Sequence, residues 1–95
     1  MPQNKNASTV GEILDEEFLS PLGISRYKLA KAIGVSQSTI SDIIHNKRSL
    51  TVDLAYRLSK ALGTSAEFWL NLQRDYDLLT FDSSKIADIT PLVEA

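Results

Sequence analysis

Apolar residues recur at helical spacing in two short stretches near the middle of the chain. In the first stretch, Leu29, Ala30 and Ile33 fall on one face of a helix. Gly34 follows, and glycine tolerates the left-handed backbone that a sharp helix end requires. Ser36 is then well placed to cap a second helix, whose inward face carries three isoleucines: Ile40, Ile43 and Ile44. The pattern predicts two short helices joined by a tight turn.

A first helix should precede this pair, and a fourth should follow it. Thr9 and Glu12 fit a capping box, in which the hydroxyl caps the helix and the carboxylate bonds back to the cap. Pro21 should end the first helix, because proline breaks helical hydrogen bonding. The fourth helix is predicted between Thr51, which can cap it, and Gly63. The first helix is expected to place four residues in the core: Ile13, Leu14, Phe18 and Leu22.

A second capping-box pattern begins at Thr64 and predicts a fifth helix that continues to about Leu79. This helix is apolar on more than one side. In such a helix one apolar face usually packs against the core of its own domain, and another packs against a partner molecule. A core helix with a few scattered exposed leucines is the plainer alternative. Because a chain this short gains buried surface by association, we favour a dimer interface with three residues: Trp69, Leu70 and Leu78.

The two ends of the chain differ in character from the middle. Residues 1–8 are polar and are expected to be disordered. Residues 80–95 form a short tail in which Pro91 interrupts any helix, and the apolar residues of this tail include Ile86, Ile89, Leu92 and Val93. The tail could pack on the domain, pair across a dimer or meet another protein. The predicted fold is therefore all-α, with five helices over residues 9–79 and a C-terminal tail.

Positive charge is concentrated in the middle of the chain, although the whole protein carries a net charge of −2. Residues 26–60 contain seven lysines and arginines but only two aspartates, which gives +5. The remaining residues carry three basic and ten acidic side chains, which gives −7. A basic segment that coincides with the two-helix pattern is typical of a surface that faces nucleic-acid phosphates, whereas solvated helix faces are the plainer interpretation.

Two helices with this spacing are typical of a helix-turn-helix, in which the second helix enters the DNA major groove. An ordinary pair of packed helices is the plainer alternative. We expect Lys31, Arg57 and Lys60 to be solvated. Outward residues of the second helix are predicted to read bases: Gln37, Ser38, Thr39, Ser41 and Asp42. Residues around the ends of the two helices are predicted to contact phosphates: Arg26, Lys28, Ser36, Asn46, Lys47 and Arg48.

No set of residues with the spacing of a catalytic or metal site occurs in the sequence. It contains one histidine and no cysteine, and the adjacent Glu16 and Glu17 point apart on a helix. We therefore expect neither an enzyme nor a metal or cofactor site. The first residues lack the pattern of a signal peptide, and no apolar run reaches the length of a membrane span. A cytoplasmic protein is expected.

Four segments resemble the HigA antitoxin family, which is part of the Cro/C1-type (XRE, lambda-repressor-like) helix-turn-helix group. They are Gly11–Leu14, Pro21–Gly23, LAKAIGVSQSTIS at residues 29–41, and Leu62–Gln73. The last segment distinguishes this family from generic phage-repressor-like domains. The sequence departs from the family at Thr9 and Val10, where His-Pro is common.

The resemblance implies a five-helix Cro/C1-type domain with two kinds of partner. Proteins of this family bind and block a HigB-type toxin, a RelE-like ribonuclease that cleaves translated messenger RNA. As dimers they also bind the palindromic operator of their own operon and repress it, which would place this protein on the nucleoid. A stand-alone repressor without a toxin partner is an alternative function, and an interaction module that no longer binds DNA is another.

Overall fold

The computed structural model describes residues 8–93, and five helices follow one another in that range. Helix α1 combines an α-helical turn, a π-helical stretch and a final turn: Val10–Ile13, Leu14–Leu19 and Ser20–Leu22. The other helices are α2 (Arg26–Ile33), α3 (Gln37–Ile44), α4 (Val52–Leu62) and α5 (Ala66–Thr80). A 3-10 turn, Ser83–Ile86, follows α5.

The described residues contain no strand, and the predicted all-α fold is confirmed. Most of the segment predicted to be disordered, residues 1–7, lies outside the described residues, as do residues 94 and 95. None of the helices in residues 8–93 is long and apolar enough to cross a membrane.

Most of the predicted helix ends are confirmed, because polar caps and left-handed residues occupy the expected positions. The Thr9 hydroxyl accepts a hydrogen bond from the Glu12 amide at 3.0 Å, and the Thr9 amide donates to the Glu12 carboxylate at 3.0 Å. Ser36 caps α3 by accepting from the Thr39 amide at 3.1 Å. Gly34 adopts a φ of +75° at the end of α2, which fixes the short turn between α2 and α3.

Pro21 does not end α1 as predicted, since the helix continues to Leu22. The π-helical stretch before Pro21 is the physical reason. Its wider turn accommodates a residue that lacks an amide donor and crowds the carbonyl four residues earlier. The π turn also shifts the inward face by one residue. Leu19, five residues after Leu14, is buried, whereas Leu22 is 62% exposed, so its predicted place in the core is wrong.

Trp69 lies in the centre of the core with 0% of its surface exposed. Its ring centroid is 5.2 Å from that of Phe18 and 4.9 Å from that of Phe68, and its Nε1 donates to the Thr64 hydroxyl at 2.6 Å. A buried indole needs such an acceptor. The Thr64 hydroxyl therefore accepts the hydrogen bond of Trp69 and does not cap α5. Ser65 caps the helix instead, by accepting from the Phe68 amide. The predicted capping box that begins at Thr64 is therefore wrong.

The tail that follows α5 adds no residue to the core. Asp82 caps its 3-10 turn, and hydrogen bonds from the Ser84 hydroxyl and amide hold the pKa of the Asp82 carboxyl below its usual value. The roles of the tail in packing on the domain, in a dimer or with another protein stay predictions. Its large apolar side chains are exposed: Phe81, Ile86, Ile89, Leu92 and Val93.

The close contact between α1 and α3 depends on a glycine. Gly11 is buried against the end of α3. A Cβ atom at Gly11 would lie 2.6 Å from Ile44 Cα and nearer still to the carbonyl oxygens of Ile43 and Ile44. These are backbone atoms, which cannot rotate away as a side chain can. The missing side chain at Gly11 therefore sets how closely α1 approaches α3.

We expect Gly11→Ala to destabilise the protein by about 1–3 kcal/mol, because the added methyl group must push the two helices apart. Replacing glycine by alanine inside a helix ordinarily stabilises it by about 0.5–1 kcal/mol, so the sign of the change is diagnostic. Urea denaturation followed by circular dichroism measures it. Ser20→Ala, at an exposed position of the same helix, is the control, and a stabilised Gly11→Ala variant would contradict the close approach.

Candidate nucleic-acid interface

Helix α3 is held in the core by one face and leaves the other face free. Ile40 and Ile43 are 0% and 2% exposed, whereas Gln37 and Ser38 at the start of the helix are exposed. The other three predicted base-reading residues are half-buried: Thr39, Ser41 and Asp42. The leading end of α3 is therefore its most accessible part.

Hydroxyl groups at the start of α3 form hydrogen bonds with one another. Ser36 Oγ lies 3.0 Å from Ser38 Oγ and 2.9 Å from Thr39 Oγ1. Arg48 Nη1 donates to Thr39 Oγ1 at 3.3 Å. The hydroxyls of Ser38 and Thr39 are thus both engaged within the protein, and of the two residues Ser38 is the more exposed. The same contact brings Arg48, predicted to bind a phosphate, to the leading end of α3.

Side chains of α5 stabilise the turn after α3 through hydrogen bonds. Asn46 adopts a φ of +58°, as expected for the left-handed residue after a helix. Its side-chain Nδ2 donates to the Tyr76 hydroxyl at 2.9 Å, and the Leu50 amide donates to Gln73 Oε1 at 2.9 Å. Asn46, predicted to contact a phosphate, therefore uses its side-chain amide inside the protein. Sequence reasoning missed Tyr76 and Gln73, which lie 30 and 23 residues from their partners and leave no local signal.

Four of the predicted phosphate-contacting residues are cations at the ends of α2 and α3. Lys28, Lys47 and Arg48 are exposed, and Arg26 is half-buried. Both ion pairs found within residues 8–93 involve other arginines. No carboxylate of the described residues therefore neutralises these four cations, and their charge is available to an anionic ligand.

Arg57 is exposed, as predicted, but its guanidinium group also binds the end of α2. Its Nη1 donates to the Ile33 carbonyl oxygen at 2.7 Å, and its Nε donates to Asp53 Oδ2 at 2.8 Å. This contact forms because α4 packs next to the end of α2, where the last carbonyl groups have no donor within the helix. Lys31 and Lys60 are exposed, as predicted.

The structure corrects the predicted dimer interface at Trp69, which is completely buried and cannot reach a partner chain. Leu70 is half-buried and packs against the core. Leu78 is 70% exposed, and two more exposed apolar residues follow it: Leu79 and Phe81. The end of α5 presents more apolar surface than its beginning, where Phe68 is 39% exposed.

The two-helix geometry and the free face of α3 define a helix-turn-helix protein, and comparisons with known proteins agree. A helix-turn-helix family model matches residues 16–69. Antitoxin HigA-1 of Vibrio cholerae is 49% identical over 70 residues, which cover 74% of this chain and 66% of that protein. Virulence-associated protein I of Dichelobacter nodosus is 44% identical over 88 residues, which cover 90% and 82% of the two chains.

The fold is also similar to that of a solved antitoxin. The structure of Pseudomonas aeruginosa antitoxin HigA with the higBA promoter matches with a TM-score of 0.80 and 41% sequence identity, over 92% of this chain and 99% of that chain. This protein belongs to the HigA-type antitoxins of the Cro/C1-type (XRE) helix-turn-helix family. The roles of individual residues on α2, α3 and α5 stay predictions.

Proposed function

We propose that this protein binds the operator of its own operon as a dimer and represses it, and that it also neutralises a HigB-type toxin. The observation that carries the DNA-binding part is the free leading end of α3. Gln37 and Ser38 are exposed there, while Ile40 and Ile43 anchor the opposite face in the core. The related antitoxin with the higBA promoter supports double-stranded operator DNA as the ligand.

Gln37 is the proposed principal base reader, because a glutamine amide can bond to both major-groove groups of adenine. The exposed Ser38 hydroxyl can bond to several base edges. Lys47 and Arg48, in the turn after α3, are proposed to bind phosphates together with Arg26 and Lys28 at the start of α2. Phosphate contacts orient the protein but carry no sequence information directly. The two groups should therefore differ in how their removal affects binding.

We expect Gln37→Ala to weaken operator binding by about 1–3 kcal/mol and to relax the preference at one base position. Its affinity for random DNA should not change, because the glutamine carries no charge. Fluorescence anisotropy with the native operator and with a shuffled duplex measures both values. Equal weakening on the two duplexes would contradict base reading by Gln37.

The Lys47→Ala/Arg48→Ala variant is the matched contrast. It should weaken binding to both duplexes and reduce the slope of log affinity against log salt by about two units, because each phosphate that a cation neutralises adds about one unit to that slope. Lys60→Ala, which removes an exposed cation of α4, should change neither value. An unchanged salt slope in the double variant would refute the phosphate contacts.

The proposed dimer forms through the end of α5. Leu78, Leu79 and Phe81 are exposed within four residues of chain, and contiguous exposed apolar residues mark interaction surfaces. A dimer with two-fold symmetry presents two copies of α3, which matches a palindromic operator.

We expect Leu78→Glu to produce a monomer in sedimentation equilibrium with its helical circular dichroism retained, because a buried unpaired carboxylate at an interface is costly. Leu78 suits this test better than Leu70, whose contacts with the core would confuse folding with association. Val52→Glu, at a 59% exposed apolar position of α4, is the control and should stay dimeric. A dimeric Leu78→Glu protein would place the interface elsewhere.

The proposed toxin is a RelE-like ribonuclease, which must bind RNA and is therefore expected to be basic. The acidic surplus of −7 outside residues 26–60 suits such a partner. On α1, the Glu12 carboxylate is engaged by the Thr9 amide, whereas Glu16 and Glu17 are exposed. We propose that these two glutamates, together with the exposed tail, contribute to toxin binding on a surface separate from α3.

Co-expression with a candidate HigB-type toxin, a short basic protein to be sought in the adjacent open reading frame, tests the toxin role. Growth arrest by that protein should be relieved by the wild type and equally by Gln37→Ala/Lys47→Ala/Arg48→Ala, which no longer binds DNA. Glu16→Lys/Glu17→Lys should relieve it less, because the charge attraction is reversed. Failure of the DNA-binding variant to rescue would show a shared surface. Absence of any rescue by the wild type would favour the stand-alone repressor.

A further inference from the structure

We propose that Arg57 is a positioning residue for operator recognition. Its hydrogen bonds link the end of α2 to α4 and thereby fix the direction of α3. Arg57 would act without touching DNA. The inference rests on the proposed operator binding and adds a residue outside the helix-turn-helix pair.

The contacts of Arg57 link two helices at one point. Its Nη1 bonds to the Ile33 carbonyl oxygen at 2.7 Å across 24 residues of chain. Its Nε bonds to Asp53 Oδ2 at 2.8 Å, one turn earlier on α4. The guanidinium group is a planar fork, so it can serve the carboxylate and the carbonyl together in a fixed geometry. Lysine, with a single ammonium group on a flexible chain, cannot reproduce this arrangement.

The Ile33 carbonyl group, which Arg57 binds, lies at the turn that sets the direction of α3. Ile33 is the last residue of α2, and Ser36, the cap of α3, comes three residues later. The Ala30 carbonyl is satisfied within the turn, by the Gly34 and Val35 amides at 2.9 and 3.0 Å. The Ile33 carbonyl is bound from α4 instead. The guanidinium cation also suits the negative end of the α2 helix dipole.

Gly34 and Arg57 fit each other closely. A Cβ atom at Gly34 would lie 3.3 Å from Arg57 Nη1, so the guanidinium group rests against the backbone of the turn. The turn is therefore held by its left-handed glycine on one side and by a side chain of α4 on the other. A shift of either one changes the direction in which α3 leaves the turn.

The pairing with Asp53 distinguishes Arg57 from the cations proposed to bind phosphates. The guanidinium group has a carboxylate partner, whereas no carboxylate of residues 8–93 pairs with Lys47 or Arg48. Base contacts depend on precise placement of short side chains, and phosphate contacts by long flexible cations tolerate small shifts. Removal of the Arg57 hydrogen bonds should therefore reduce operator preference and spare non-specific DNA binding.

Binding of Arg57→Lys to operator and to shuffled DNA, over a range of salt concentrations, tests the proposal. We expect operator affinity to fall about tenfold, the scale of one hydrogen bond to a charged group. Affinity for shuffled DNA and the salt slope should match the wild type. Thermal denaturation confirms that the variant is folded at the temperature of the assay, and Lys60→Arg on the same helix is the matched control.

A double-mutant cycle separates positioning from a general structural role. If Arg57 acts by placing the helix that carries Gln37, then Arg57→Lys should cost less operator affinity in the Gln37→Ala background than in the wild type. Two results would overturn the proposal: additive effects of the two substitutions, or equal weakening on shuffled DNA. A third comes from Arg57→Gln, which removes the charge: a salt slope reduced by about one unit is expected if Arg57 itself neutralised a phosphate, and it would also overturn the proposal.

The same measurements distinguish failure of this inference from failure of the proposed function. A wild-type protein without preference for its operator would refute operator binding and this inference with it. A wild-type protein that prefers its operator, together with an Arg57→Lys variant that keeps the full preference, would refute the role of Arg57 alone.

Discussion

Burial of one face of α3 is the constraint on which the rest of the structure depends. An isolated helix of eight residues is not stable in water, so the geometry of α3 comes from its packing. Ile40 and Ile43 fasten it to the core, and Gly11 lets α1 approach its end. The same burial turns the polar positions outward. Stability and the candidate interface therefore have one physical origin.

Helix α5 connects the core, the turn after α3 and the apolar chain end. Trp69 lies in the core near the beginning of the helix. Gln73 and Tyr76, one and two turns later, bond to the segment that follows α3. Leu78 is exposed near the end. A dimer formed at that end would fix the relative placement of two α3 helices through one continuous helix, which a palindromic site requires.

Positive and negative charges are concentrated in different parts of the chain, which the small net charge of the protein does not reveal. The basic surplus lies in residues 26–60, and the acidic surplus lies in the residues on either side. Screening at physiological salt limits the reach of surface charges to about 8 Å, so an overall negative protein can still present a local cationic surface. The acidic remainder also keeps the net charge away from the positive values that promote non-specific binding to nucleic acid.

The sequence alone determined the all-α class, most of the helix ends and the inward face of α3. These features depend on residues close together in the chain, such as the capping pair Thr9 and Glu12. Tertiary structure alone decided the π-helical stretch that carries α1 past Pro21, where packing overrides a local helix-breaking signal. It also decided the contacts of Asn46 and Arg57, whose partners lie 30 and 24 residues away. A polar side chain at a helix end bonds to whichever group the packing brings near, and no local pattern identifies that group.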